Sequence, residues 1–190
     1  MGGLIAQQLA LDVPHRVRSL ALLCTFAKGP QAARITPAVV CMGLWTHIGT
    51  RAMRRRAFLR TLFTDKFVKS EGAPDLASRI ARVIGRDLAD TPRIMMKQLA
   101  AMRAYDCSER LQELSQIPTL VLTAQSDPIA LPTYGRRLTE RISGSRYVEM
   151  RGASHGVTIQ MPERVNDLLR LHFDRAETAS VAQRGKGICR

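Results

Sequence analysis

The chain has 190 residues, 45% of them hydrophobic, which is enough for one globular domain with a real core. We expect neither a membrane span nor a signal peptide, because no apolar run approaches roughly 18–20 residues and no basic segment or cleavage site marks the start. The formal net charge of +13 would suit an anionic partner, but 5% aromatic residues and the lack of an RNP-like element favour a solvated face and a basic tail over nucleic-acid binding.

The first predicted element is a helix over residues 1–11, where apolar residues recur at helical spacing. Gly2 and Gly3 stand at its start, in place of a capping residue. Glycines in this place are typical of a strand-to-helix turn, in which the backbone passes close to another segment. The pattern indicates that the chain begins inside such a turn. A buried strand over residues 17–24 is predicted next.

Residues 27–105 differ from the rest, because their patterns predict helices and no strand. The predicted helices cover residues 37–48, 51–67, 76–84 and 91–105. A helical stretch inserted between two strands indicates a lid over the strand ends. Its candidate substrate contacts are Trp45, Met95 and Met102, although apolar stripes of this kind are more often simple core.

Two polar side chains follow successive predicted strands. A short apolar run at residues 120–123 is typical of a strand buried on both faces of a parallel sheet, and Asp127 is the first carboxylate after it. A second strand is predicted at residues 146–150, and the loop after it carries His155. Because functional groups in open α/β sheets gather at the carboxyl ends of strands, we expect this acid and this histidine to lie close together.

The remaining patterns complete an α/β fold. Helices are predicted at residues 134–141 and from Pro162 onward. Periodicity is lost near residue 176, which predicts a disordered basic tail over residues 176–190. We therefore expect a core of about three parallel strands, formed by residues 1–26 and 106–175, with residues 27–105 as a helical lid.

Several blocks of sequence carry a resemblance to a known family. The opening Met-Gly-Gly-Leu-Ile-Ala looks like the continuation of a G-x-S-x-G nucleophile elbow, and residues 106–132 are similar to an acid-bearing strand and loop. Gly-Ala-Ser-His-Gly at residues 152–156 and Pro-Glu-Arg-Val at residues 162–165 look like a histidine loop and a closing helix. Together they resemble the α/β-hydrolase fold, most of all its lactonase, esterase and non-haem haloperoxidase-like members, such as 3-oxoadipate enol-lactonase.

This resemblance implies serine-type hydrolysis of a carboxylic ester or lactone. A serine attacks the carbonyl carbon, His155 takes its proton, and Asp127 orients the imidazole. The order of acid before histidine agrees with the order along the chain in the family. Taken alone, Asp127 could be a turn-former before proline and His155 a capping side chain in a loop.

The nucleophile is the point at which the sequence departs from the family. It should lie immediately before Met1, whose backbone nitrogen would help to hold the oxyanion but is here an α-amine. We therefore expect the chain to be inactive as written. Three explanations stay open: a true chain that starts earlier, a degenerate remnant without activity, or a basic interaction module that binds anionic partners through the arginine-rich lid. The strand at residues 17–24 would also lack a neighbour, which invites self-association.

The four cysteines are Cys24, Cys41, Cys107 and Cys189, and none has C-x-x-C or metal-ligand spacing. No metal site, disulfide framework or organic cofactor is expected, and a reducing cytoplasm fits this cysteine usage best. The expected partner is a small-molecule ester or lactone, whose identity the sequence does not give.

Overall fold

The computed structural model describes residues 1–32 and 49–187. Its α-helices are α1 (Gly2–Asp12), α2 (Gly29–Ala32), α3 (Arg51–Leu62), α4 (Asp65–Glu71), α5 (Ala73–Ile84), α6 (Met95–Ala104), α7 (Pro132–Arg141), α8 (Val157–Gln160) and α9 (Pro162–Gly187). Its strands are β1 (Leu20–Leu23), β2 (Thr119–Ala124) and β3 (Arg146–Met150), and 3₁₀ turns cover Pro14–Arg16 and Ser108–Gln116. The helix predicted at residues 37–48 lies outside the described residues.

The strands form one parallel sheet in the order β1-β2-β3. Leu22 of β1 is level with Val121 of β2, and Leu122 of β2 is level with Val148 of β3. Every residue of the central strand β2 is buried. The prediction of an α/β fold with about three parallel strands is confirmed.

The central strand is buried because helices cover both faces of the sheet. Leu122 packs in a core cluster with Leu4 of α1 and Val165 of α9, whereas its neighbour Val121 packs in a cluster with Leu138 of α7. Successive side chains of a strand point to opposite faces, so a strand between two helical layers must be apolar throughout. This explains the continuous apolar run of β2.

The first strand is shorter than predicted. The N–H of Val17 donates to the C=O of Pro14 (3.1 Å) and closes the 3₁₀ turn that Pro14 begins. Its amide is therefore unavailable to the sheet, and the strand starts at Leu20 instead of residue 17.

The helices α3, α4 and α5 build a third core cluster, which includes Leu59, Phe63 and Leu76. The sequence predicts one helix over residues 51–67, but the structure divides it at Phe63. Thr64 caps the second part, since its Oγ1 accepts a hydrogen bond from the N–H of Phe67 (3.4 Å). The break lets the chain turn at Phe63, whose side chain is buried in this cluster.

The last helix continues past residue 176, where the sequence predicts a disordered tail. Ala176 is buried, and Glu177 pairs with Arg18 at the start of the sheet layer (3.8 Å). The hydroxyl of Thr178 donates to the C=O of Asp174 (2.8 Å). The burial of Ala176 and the Arg18–Glu177 pair connect this part of the helix to the body of the protein, and the helix extends to Gly187.

Candidate active site

Asp127 is held in a tight turn directly after β2. Its N–H donates to the C=O of Ala124 (3.1 Å), and its Oδ1 accepts from the N–H groups of Ile129 and Ala130, at 2.8 Å each. Aspartate side chains that bond to nearby backbone in this way stabilise turns. The turn uses Oδ1 alone, and this leaves Oδ2 for another partner.

His155 lies in the loop between β3 and α8, which is tied down on two sides. The N–H of Ser126 donates to the C=O of Ala153 (2.9 Å), and the N–H of Gly156 donates to the last carbonyl of α3 (2.6 Å). A Cβ at Gly156 would lie 2.3 Å from the Phe63 ring, so only glycine fits this close approach. The loop is therefore wedged between the acid-bearing loop and the helical segment.

The two side chains meet as an acid–histidine pair. His155 Nδ1 lies 2.7 Å from Asp127 Oδ2. The Asp127 side chain is fully buried, whereas 29% of the His155 side chain is exposed. Because a carboxylate only accepts hydrogen bonds, it selects the tautomer with the proton on Nδ1 and leaves Nε2 as the nitrogen that can take a proton. The arrangement can therefore act as an oriented general base.

Cys24 is a third side chain at this site, and the sequence patterns assign no role to it. It directly follows β1, and its Sγ lies within 4.8 Å of the ligand atoms of Asp127 and His155. Its φ of +46° is unusual for a residue other than glycine and costs of order 1–3 kcal/mol. Burial, and after it the Asp127 charge, raises the pKa of the thiol. The carboxyl-end rule that selected Asp127 and His155 applies equally to Cys24 and could have found it.

An open pocket of about 510 Å³ adjoins the pair. One wall is the turn between α3 and α4, with Phe63 and Thr64, and the other consists of Ser126, Pro128 and Ser154, which flank the acid and the histidine in sequence. These residues place the pocket beside the loops that carry the acid and the histidine.

Met1 lies at the start of α1, beside the same edge of the sheet. A Cβ at Gly3 would fall 2.4 Å from Thr25 Oγ1, so the first turn of α1 packs against the residue that follows Cys24. Burial lowers the pKa of the Met1 α-amine. The oxyanion role of this nitrogen stays a prediction.

A family model described as the alpha/beta hydrolase fold matches residues 1–162. The chain belongs to the alpha/beta hydrolase fold family. The resemblance that the sequence motifs predict is confirmed.

Similar proteins include esterases and a lactonase. The chain is 26% identical over 155 residues to a pimeloyl-[acyl-carrier protein] methyl ester esterase of Neisseria meningitidis, with 82% of this chain and 59% of the esterase covered. The solved enol-lactonase from Burkholderia xenovorans LB400 superposes with a TM-score of 0.70 at 26% identity, and 92% of this chain and 63% of the lactonase are covered. A thermophilic esterase from Thermogutta terrifontis, at 21% identity and a TM-score of 0.63, shares the fold. The chain therefore spans about three fifths of the length of these proteins.

Of the three predicted substrate contacts, two lie on α6 and one lies outside the described residues. Met102 is half-buried and packs against the core cluster that contains Cys24. Met95, also half-buried, begins the same helix, and a separation of seven residues puts it on the same face, roughly 10 Å away. Trp45 lies outside the described residues. Their contact with a substrate stays a prediction.

Two arginines of α3 form ion pairs with aspartates of the same helical segment, residues 27–105. Arg51 Nη2 lies 2.8 Å from Asp87 and 3.0 Å from Asp90, and Arg55 also pairs with Asp87. The hydrogen bond from Arg55 is the largest cause that lowers the pKa of Asp87. These pairs fasten α3 to the loop after α5, so part of the positive charge has a structural role.

In the described part of the chain, no helix has the length and apolar character needed to cross a membrane.

Proposed function

We propose that this chain provides the general base and the orienting acid of a serine-type hydrolase that acts on a carboxylic ester or lactone. The observation that carries the proposal is the 2.7 Å contact between His155 Nδ1 and Asp127 Oδ2, with Oδ1 of the acid occupied by the turn. The similarity to an esterase and to an enol-lactonase supports an ester-type substrate.

In the proposed reaction, His155 Nε2 takes the proton of the attacking serine as its oxygen bonds to the carbonyl carbon. Asp127 stabilises the resulting imidazolium, which then returns the proton to the leaving alkoxide. Water repeats the sequence on the acyl-enzyme and releases the carboxylic acid. The half-buried position of His155 suits this role, because the ring must reach both the acid and the substrate.

We further propose that the serine is supplied by residues that precede Met1 in a longer polypeptide, and that the 190-residue chain alone has no turnover. Ser154 adjoins the base in sequence, but its hydroxyl donates to the C=O of Ser126 (3.0 Å) and is buried. Loss of a catalytic serine costs about 10⁶ in turnover.

The test compares the 190-residue chain with a version extended by its in-frame upstream codons. We expect a fluorophosphonate probe to label the extended protein and p-nitrophenyl butyrate to be hydrolysed. The variant His155→Ala should lose both, by about 10⁴-fold or more in rate. His15→Ala is the matched control, because His15 is exposed on the turn after α1.

An extended, folded protein that is neither labelled nor active would overturn the hydrolase proposal and favour a remnant without activity. Serine labelling of the 190-residue chain itself would overturn the proposed source of the nucleophile. The alternative of a basic interaction module predicts salt-dependent binding to anionic vesicles or nucleic acid that is lost when Arg54, Arg55 and Arg56 are neutralised.

A further inference from the structure

Three different metal-ligating side chains converge at the carboxyl ends of the three strands. Cys24 follows β1, Asp127 follows β2 and His155 follows β3. The thiol sulfur, a carboxylate oxygen and an imidazole nitrogen all lie within 4.8 Å of one another. The sequence gives no spacing signal for this group, because its members are far apart along the chain.

The chemical composition of the cluster suits a borderline-soft divalent cation. Zinc is bound in proteins by thiolate, imidazole and carboxylate ligands, often by three protein groups with one position left to water. A thiolate and a carboxylate together carry two negative charges, which neutralise a divalent ion in a buried place. Calcium and magnesium prefer sites made of oxygen ligands and do not match this set.

The surroundings already hold the carboxylate as a metal site requires. The N–H groups of Ile129 and Ala130 fix Oδ1 of Asp127, so Oδ2 is oriented toward the other two ligands. Cys24 is held by the hydrogen bond from its N–H to the C=O of Leu122 (2.8 Å). The exposed part of His155 provides a route for entry from solvent.

Only small movements are needed to reach coordination distances. Ligand atoms around a tetrahedral zinc lie roughly 3.3–3.6 Å apart. The 2.7 Å contact between Asp127 and His155 must open slightly, and the sulfur must approach from at most 4.8 Å.

We propose that Cys24 Sγ, Asp127 Oδ2 and His155 Nδ1 form a Zn²⁺-binding site. On binding, the thiol gives up its proton to solvent and the imidazole proton moves to Nε2, so the ion replaces the hydrogen bond between acid and histidine. The bound ion blocks the general base, because the proton displaced from Nδ1 then occupies Nε2, the nitrogen that would take the proton of the serine. Binding does not require hydrolysis and is measured on the 190-residue chain, so its outcome is separate from that of the proposed function.

The test uses Co²⁺ as a spectroscopic probe in a background variant, Cys41→Ser with Cys189→Ser, that removes two other thiols. We expect one Co²⁺ per chain, with a thiolate-to-cobalt charge-transfer band in the near ultraviolet. Equimolar Zn²⁺ should remove this band, since zinc has the higher affinity for such sites. Cys24→Ser should abolish the band and weaken binding by at least about 100-fold, more than the loss of an outer-shell group usually costs.

Cys107→Ser is the matched control, because Cys107 is also a buried thiol but lies in the other core cluster. It should keep the band. If circular dichroism shows that Cys24→Ser is unfolded, His155→Ala replaces it as the deciding variant and should also bind Co²⁺ at least about 100-fold more weakly. The proposal would be overturned if the background variant showed no charge-transfer band. It would also be overturned if a folded Cys24→Ser variant kept the band, or if His155→Ala bound Co²⁺ with unchanged affinity.

Discussion

Lys28 and Asp106 form an ion pair between the two ends of the helical segment. Lys28 lies where the chain enters this segment, and Asp106 lies where the chain returns to the sheet. Lys28 Nζ lies 2.8 Å from Asp106 Oδ2, and the same two residues form an antiparallel backbone bridge. The N–H of Gly29 donates to the C=O of Tyr105 (2.8 Å) beside it. The two ends of the helical segment are therefore fastened to each other as well as to the core.

This pair predicts a loss of stability in acid. The hydrogen bond from Lys28 lowers the pKa of Asp106 from 3.8 to about 2. A carboxyl group with a lowered folded-state pKa stabilises the fold above its unfolded pKa, and this contribution is lost as pH falls through the folded value. We expect the Lys28–Asp106 coupling, measured by thermal unfolding of Lys28→Met, Asp106→Asn and the double variant, to be constant above about pH 5 and to disappear between about pH 4 and 2. A coupling that is unchanged at pH 2 would show that the pair is not ionic.

The sequence predicts the sheet and the acid–histidine pair because both depend on local patterns. The apolar run of β2 and the position of Asp127 directly after it are visible within a few residues. The rule that functional groups lie at the carboxyl ends of parallel strands then brings His155 to the same edge without knowledge of the packing.

The features that the sequence did not predict depend on contacts between distant segments. The apolar repeat runs across the break between α3 and α4, so only the burial of Phe63 and the cap at Thr64 reveal it. Ala176 is helical because it packs against the body of the protein, which its neighbours in sequence do not indicate. Cys24 directly follows β1, so the same rule could have placed it at this edge, but its closeness to Asp127 and His155 depends on the packing of the three strands.

Replacement of Gly156 by alanine should destabilise the protein. The added Cβ would meet the Phe63 ring at 2.3 Å, and this overpacking should cost about 1–3 kcal/mol in the free energy of unfolding, measured by urea denaturation. Gly2→Ala is the control, because a Cβ there meets nothing within 4 Å. A second change, Phe63→Leu, should recover part of the loss in the Gly156→Ala background. If the two glycine variants were equally stable, the close contact between Gly156 and the Phe63 ring would be contradicted.

Two substitutions of Asp127 should separate its turn from its proposed chemistry. Asp127→Asn keeps an oxygen that can accept from Ile129 and Ala130 but loses the charge that orients the imidazole. In the extended protein we expect it to lower kcat by about 10⁴-fold, as in other acid–histidine–serine sites, with a melting temperature near that of the parent. Asp127→Ala should be equally inactive and also lose about 1–3 kcal/mol of stability, because a buried and a partly buried N–H group lose their acceptor. If Asp127→Asn retained full activity, Asp127 would be a turn residue alone.

The edge of the sheet at β1 should cause the 190-residue chain to self-associate. In the described part of the chain, β1 has a strand partner only on its β2 side, and Ile5 and Leu9 of the neighbouring α1 are 62% and 56% exposed. An open strand edge beside exposed apolar side chains favours pairing with another copy. We expect light scattering coupled to size-exclusion chromatography to give a mass above that of the monomer that rises with concentration. The double variant Ile5→Glu with Leu9→Glu should shift the population toward monomer, whereas Val83→Glu, at a 78% exposed site on α5, should leave the mass unchanged. A monomer at all concentrations with a sharp cooperative melt would mean that this edge does not drive association.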